Sequence, residues 1–197
     1  MTIDFEKGGG LVPAIVQDAD TLQVLMLGYM NADAVKATQE SGFVTFFSRS
    51  RQQLWQKGET SGNTLAFVNL DVDCDQDTLL VRARPAGPTC HKGTVSCFGD
   101  QGATGLGFLA ELTRTIEQRR HQDSDNSYTA SLLQGPLTRT AQKVGEEGVE
   151  TVIAALAQTD DNFLSESADL IYHLMVLLAA KDKSLDDVVE VLKSRSH

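Results

Sequence analysis

Hydrophobic and polar positions follow two different rhythms along this chain, and the change falls near residue 105. Before it, short runs rich in Val, Leu, Phe and Thr alternate with turn residues: LVPAIVQ (11–17), TLQVLMLGYM (21–30), FVTFFS (43–48), TLAFVNLDVD (64–73) and TLLVRARP (78–85). β-Branched and aromatic side chains suit a pleated, half-buried surface, so each run predicts a strand. NADAVKATQE (31–40) is the one helical stretch among them, and GETSGN and PAGPTC read as turns.

After the polar, glycine-bearing segment GDQGATGLG (99–107) the period becomes helical. Leu109, Leu112 and Ile116 recur at three and four residues, followed by Leu137, Ala141, Val144, Val152 and Leu156. Asp160 and Asp161 are candidate caps for a helix over about 162–180, and Ser184 with Asp187 resembles a capping box with Asp in place of Glu. The chain therefore predicts a multidomain protein: a β-rich domain over 1–104 and an all-α domain over 105–197. Gly105, Gly107 and Ala110 imitate a dinucleotide-binding fingerprint, but no strand precedes them. The most apolar run, Leu170 to Ala180, contains His173 and is far shorter than the roughly 20 residues of a membrane span. It predicts a buried helix.

Composition sharpens the division. Twelve of the 16 glycines and all 3 cysteines precede Leu106, so the two halves are built differently. The net charge of −10 and the sequence pI near 4.7, with acidic residues in excess on both sides, argue against nucleic-acid or anionic-membrane binding. Phosphate chemistry on such a chain calls for bound cations. An odd number of cysteines and an N-terminus, MTIDFEKGGG, without the charged and apolar regions of a signal peptide predict a reduced, cytoplasmic setting.

Three segments of the first half carry candidate chemistry. Cys74, Cys90 and Cys97 match no zinc-finger spacing, but their polar, loop-like contexts admit a catalytic zinc with three thiolates and one open position; small buried hydrophobes are the alternative. Asp71, Asp73, Asp75 and Asp77 alternate, so on a strand they would share one face, where only a divalent cation offsets their repulsion. The EF-hand pattern fails, with Gln76 where Gly is needed and Arg82 where Glu is needed, which leaves Mg2+ or a solvated acidic strand end. SRSRQQLWQKGETSGN (48–63) sets Arg49, Arg51 and Lys57 among hydroxyls, glycines and the only Trp, a composition suited to gripping a phosphate and stacking on a base, or to a plain exposed turn. There is no Walker A loop, since no Gly-Lys pair occurs anywhere in the chain.

In the second half Glu147 with Glu150 and Glu166 with Asp169 are each i,i+3 neighbours on one helix face. Packing the two helices together would gather four carboxylates, which repel unless they bind Mg2+; an ordinary solvated acidic face is the other reading. Lys143, one turn before Glu147, adds a positive charge for phosphates, and Glu146 lies nearby. His173, four residues after Asp169, reads as a satisfied histidine at the edge of the core, whereas His91 beside Cys90 is a candidate zinc ligand or general acid/base.

Taken together these residues resemble two enzyme families of histidine biosynthesis. GLVPAIVQD, LMLGYMN, SRSRQQLWQKGETSGN, DCDQD and ARPAGPTCHKGTVSCF are similar to phosphoribosyl-AMP cyclohydrolase, while KVGEEGVE and ESADLIYHL resemble phosphoribosyl-ATP pyrophosphohydrolase, an all-α class like MazG. The order of the halves is that of the bifunctional enzymes. The resemblance implies a cytoplasmic hydrolase that converts phosphoribosyl-ATP to phosphoribosyl-AMP and pyrophosphate, then opens the adenine ring between N1 and C6. It implies Zn2+ on Cys74, Cys90 and Cys97, with Cys74 from one subunit and the other two from its partner in a homodimer. It also implies Mg2+ on Asp73, Asp75 and Asp77, leaving Asp71 outside, and on Glu147, Glu150, Glu166 and Asp169 in the helical half. Arg49, Arg51, Trp55, Lys57, Glu59 and Ser61 would bind substrate with Lys143, and His91, Glu147 and Glu150 would be catalytic.

Overall fold

The computed structural model describes residues 2–196 and divides into two compact units, the first ending at Glu111 and the second starting at Leu112. In the first, β1 (Val12–Asp18), β2 (Val24–Met30), β5 (Leu65–Val72) and β6 (Leu79–Pro85) form one sheet in the order β2-β1-β6-β5. β1 pairs antiparallel with β2 but parallel with β6. Along β1 every second residue is buried, so Val12, Ala14 and Val16 point into the core while the residues between them are half-buried.

Helix α1 (Ala32–Ser41) begins where the Asn31 side chain accepts the Ala34 N–H and ends at Gly42, whose φ of 74° is the left-handed conformation that favours glycine. Ala34 and Val35 add to a core of Leu25, Met30, Val44, Phe46, Leu65, Leu79 and Val81. Burying each larger member contributes about 1.5–3 kcal/mol. A second, two-stranded sheet pairs β3 (Thr45–Ser48) with β4 (Gln53–Gln56). Phe46 is fully buried against Gly28, where any Cβ would overlap its ring, and its ring centroid lies 5.1 Å from that of Trp55.

The predicted strands and the single helix of this half are all present, with one addition and one correction. β4 lies inside 48–63, which composition alone had presented as a loop. Of the alternating aspartates only Asp71 is on a strand: β5 stops at Val72, and Asp73, Asp75 and Asp77 lie in residues 73–78, the turn into β6. Extended, they would hold like charges on one face; turned, Asp73 Oδ1 accepts the N–H groups of Asp77 and Thr78, each at 3.0 Å.

The helices are α2 (Gly107–Arg119), α3 (Tyr128–Gln134), α4 (Leu137–Ala157), α5 (Asp160–Ala180) and α6 (Leu185–Arg195). Seven residues are too few for α3 to show a period in the sequence. The cap of α5 is Thr159, which accepts the Asn162 N–H, and Asp160 and Asp161 instead occupy its first turn. Ser184 and Asp187 form the predicted capping box on α6.

Ile116, Ala130, Leu132, Ala154, Met175, Val176 and Ala179 are buried in the second unit, and Arg120 donates to the Ala179 carbonyl at 2.6 Å at the end of α5. The apolar stripe predicted for α4 is not its buried face. Val152 and Leu156 are 58% and 83% exposed, with Val149 and Ile153 beside them, while Thr140, Glu147 and Ala154 are buried. α5 also differs from expectation: its 21 residues contain an 18-residue window of mean hydropathy 1.4, enough, by length and composition alone, to cross a membrane. Only part of the apolar run is buried, with Ile171 exposed, and the helix also carries Glu166, Asp169 and the buried His173.

Candidate active sites

The turn between β5 and β6 gathers three of the four alternating carboxylates. One oxygen from each of Asp73, Asp75 and Asp77 lies within 4.8 Å of the others. Asp71 is held apart by Arg82, whose guanidinium donates to its Oδ2 at 2.6 Å. The N–H of Thr78, then that of Asp77, hold the Asp73 carboxyl below the usual aspartate range. Lys7, which the sequence did not single out, donates to the Asp75 carbonyl and lies 3.3 Å from Asp75 Oδ2 and 3.6 Å from Asp77 Oδ2. Three hard oxygen donors in one turn are a donor set for Mg2+ or a cation like it.

Cys90 is buried, and Cys74 and Cys97 are exposed. Hydrogen bonding from the Lys92 N–H, then from Thr94, holds the Cys90 thiol below its usual value; burial, then the neighbouring Cys90, pushes Cys97 up. This opposite response is that of two adjacent thiols favouring one thiolate. His91 Nδ1 is 3.9 Å from Cys90 Sγ. Among the described residues, Cys74 does not join the other two in a three-ligand group within one chain. Soft sulfur donors suit zinc, and two of the three are in place together.

A cleft of about 340 Å3 is lined by Arg51, Trp55, Lys57, Glu59, Ser61, His91 and Cys97, so most of the predicted substrate-binding stretch meets the cysteine loop. Arg49 is not in its lining; the guanidinium stacks 3.8 Å above the Tyr29 ring. Gly58 has φ of 83° and packs against the Asn63 carbonyl so closely that a Cβ would overlap it, which bends 57–63 around the cleft. Within that bend the Gly62 N–H donates to the Gly58 carbonyl at 2.9 Å and is not turned toward an anion. Thr89, also lining the cleft, carries a buried hydroxyl without a hydrogen-bond partner, a feature with no signal in sequence.

In the helical unit the two-residue connection between α4 and α5 returns the chain along itself, and one oxygen from each of Glu147, Glu150 and Glu166 lies within 4.8 Å of the others. Asp169 is exposed and outside this group of three. Partial loss of hydration, then the charges of Glu147 and Glu166, pushes the Glu150 carboxyl up. Lys143 Nζ bonds Glu146 Oε2 and Glu147 Oε1, each at 2.9 Å; these contacts hold Lys143 above its usual value and Glu146 below. His173, 5% exposed like Glu147, bonds the Asp169 carbonyl through Nδ1 at 2.9 Å and Tyr128 through Nε2 at 3.1 Å. Tyr128 lies 45 residues away in sequence, and nothing in the helical period connects it with this site.

Comparison with known proteins divides the chain in the same way. Residues 26–99 match the family model for phosphoribosyl-AMP cyclohydrolase, and residues 109–196 match that for phosphoribosyl-ATP pyrophosphohydrolase. Similar proteins include the histidine biosynthesis bifunctional protein HisIE of Xylella fastidiosa strain Temecula1, 58% identical over 193 residues, which are 98% of this chain and 92% of that protein. The protein of the same name from Escherichia coli O157:H7 is 54% identical over 193 residues, 98% of this chain and 95% of its own. That of Vibrio parahaemolyticus is 54% identical over 195 residues, 98% of this chain and 92% of its own.

Proposed function

We infer how each half works from one premise: the chain belongs to the family of bifunctional histidine-biosynthesis proteins, and it joins a phosphoribosyl-AMP cyclohydrolase to a phosphoribosyl-ATP pyrophosphohydrolase. The helical half acts first. Water adds to the α-phosphorus of phosphoribosyl-ATP, the bridge to the β-phosphate breaks, and pyrophosphate leaves. Glu147 and Glu150 orient that water, and Lys143 supplies positive charge beside the phosphates. Glu147, Glu150 and Glu166, with Asp169 from the next turn of α5, would hold Mg2+.

In the first half Arg51, Lys57 and Ser61 bind the phosphoribosyl groups, Trp55 stacks on the purine, and Glu59 and Arg49 steady the segment. Water's oxygen bonds to C6 of the adenine ring, the N1–C6 bond breaks, and His91 delivers a proton to N1. Cys90 and Cys97 would hold Zn2+ together with Cys74 of a second copy, and Asp73, Asp75 and Asp77 would hold Mg2+. When bound, zinc lowers the pKa of a coordinated water and magnesium neutralises phosphate charge.

The observation that carries this reading is the single cleft shared by Arg51, Trp55, Lys57, His91 and Cys97. A homodimer is supported by the separation of Cys74 from the other two thiols and by the exposed apolar residues of α4. We place the enzyme in the cytoplasm on its free thiols and its biosynthetic role. The test supplies phosphoribosyl-ATP with Mg2+ and Zn2+ and follows pyrophosphate and the ring-opened product separately. Both are expected. Pyrophosphate alone would reduce the first half to a binding or regulatory domain.

A further inference from the structure

His173 and Glu147, each 5% exposed, are the buried titratable groups among the described residues of the helical unit, and the two ring nitrogens of His173 face different kinds of partner. Nδ1 meets acceptors only, the Asp169 carbonyl at 2.9 Å and Glu147 Oε1 at 3.5 Å, so Nδ1 carries its hydrogen. That hydrogen is given to the carbonyl, and the longer approach to Glu147 is an electrostatic contact. Nε2 then accepts from the Tyr128 hydroxyl at 3.1 Å. The ring is also gripped by its neighbours: Tyr128 and Tyr172 meet it edge-on, with centroids 6.1 and 5.0 Å away. An imidazole bonded at both ends and wedged between two rings has one orientation.

This orientation matters for Glu147, the only buried carboxylate of the group of three. Its Oε1 is held by Lys143 at 2.9 Å, but Lys143 is one turn away on the same helix and cannot fix Glu147 relative to α5. His173 is on α5, as is Glu166. We propose that His173, locked by Tyr128 and the Asp169 carbonyl, is a positioning residue that sets Glu147 against the carboxylate of Glu166. Tyr128 brings α3 into the same device. The inference rests on the reading of Glu147 as a metal ligand.

The test uses Mn2+ alone as the probe, with binding followed by electron paramagnetic resonance in the full chain, alongside both activities. Glu147→Gln measures the site itself. His173→Leu should weaken Mn2+ binding and slow pyrophosphate release by about 10–100-fold, the usual loss for a residue that orients a ligand, with ring opening unchanged. His173→Asn, which keeps a donor near the Nδ1 position, should restore most of that loss. Tyr128→Phe removes only a hydroxyl from a half-exposed residue and should give a smaller loss in the same direction, so the test survives if His173→Leu fails to fold. Wild-type Mn2+ affinity in His173→Leu or Tyr128→Phe would overturn the proposal, as would equal losses in His173→Leu and His173→Asn, which would mean that only the volume of the ring matters. Undiminished Mn2+ binding by Glu147→Gln would instead remove the metal-site reading beneath it.

Discussion

Lys7 Nζ lies 3.3 Å from Oδ2 of Asp75, so the N-terminal segment already places one positive charge on the carboxylates of the turn after β5. A divalent cation on Asp73, Asp75 and Asp77 would compete with that ammonium. Lys7→Met, made together with Glu147→Gln to silence the helical site, should therefore bind Mn2+ tighter by about two- to fivefold, the scale of an exposed ion pair. Unchanged or weaker affinity in a titration would show that Lys7 supports this turn without competing for it.

Separate chemistry in the two halves makes their variants separable. Cys90→Ser should suppress ring opening by more than the roughly 100-fold upper range for loss of a supporting residue, with pyrophosphate release intact. Glu147→Gln should do the reverse when phosphoribosyl-ATP and phosphoribosyl-AMP are supplied in turn. A folded variant that loses both activities would count against two independent sites.

Gly28 is where the small sheet's Phe46 meets β2. Gly28→Ala forces a methyl group into the ring's place, and overpacking of this kind costs about 1–3 kcal/mol. Denaturant unfolding should show that loss in the first unit. Phe46→Leu in the same chain should recover part of it, and additive losses would mean that the ring is not the obstacle.

Asp187 closes the cap of α6. The Ser184 N–H and then its hydroxyl hold the carboxyl below its ordinary value of 3.8. A carboxyl whose folded pKa is depressed stabilises the fold above its unfolded value and loses that contribution as pH falls through the folded one. The end of α6 should therefore fray below about pH 4, and a carbon-13 titration of Asp187 should give a midpoint under 3.8. Ser184→Ala keeps the N–H and removes only the hydroxyl, so it should move the midpoint part of the way upward, and a midpoint that stays in place would leave the hydroxyl no part in the shift.

How far the sequence could be read depended on the range of the forces involved. Runs such as Val12–Asp18 and caps such as Ser184 with Asp187 are local, and they were legible because neighbouring residues alone decide them. The Asp73–Asp77 turn was misread as strand because alternation identifies a face only where the backbone is extended. Arg82, 11 residues from Asp71, removes that carboxylate from the group, and spacing carries no trace of it.

Sites at longer range were legible as residue types without their arrangement. The i,i+3 rule placed Glu147 beside Glu150, since helix geometry fixes that distance. It could not decide that Glu166 would join them and Asp169 would stand outside, which depends on how α5 rotates against α4. Likewise Arg49 belongs to the same basic stretch as Arg51, yet it stacks on Tyr29 while Arg51 lines the cleft.

By itself, then, the sequence determined the two-part construction, most of the strands and helices, and which acids, thiols and basic residues are candidates for chemistry, because these follow from period, propensity and side-chain type. Only the tertiary structure decided which of them meet. The pairing of Tyr128 with His173 and the shared cleft of Trp55, His91 and Cys97 arise from contacts between segments distant in the chain. Packing fixes such contacts, and no local pattern encodes it.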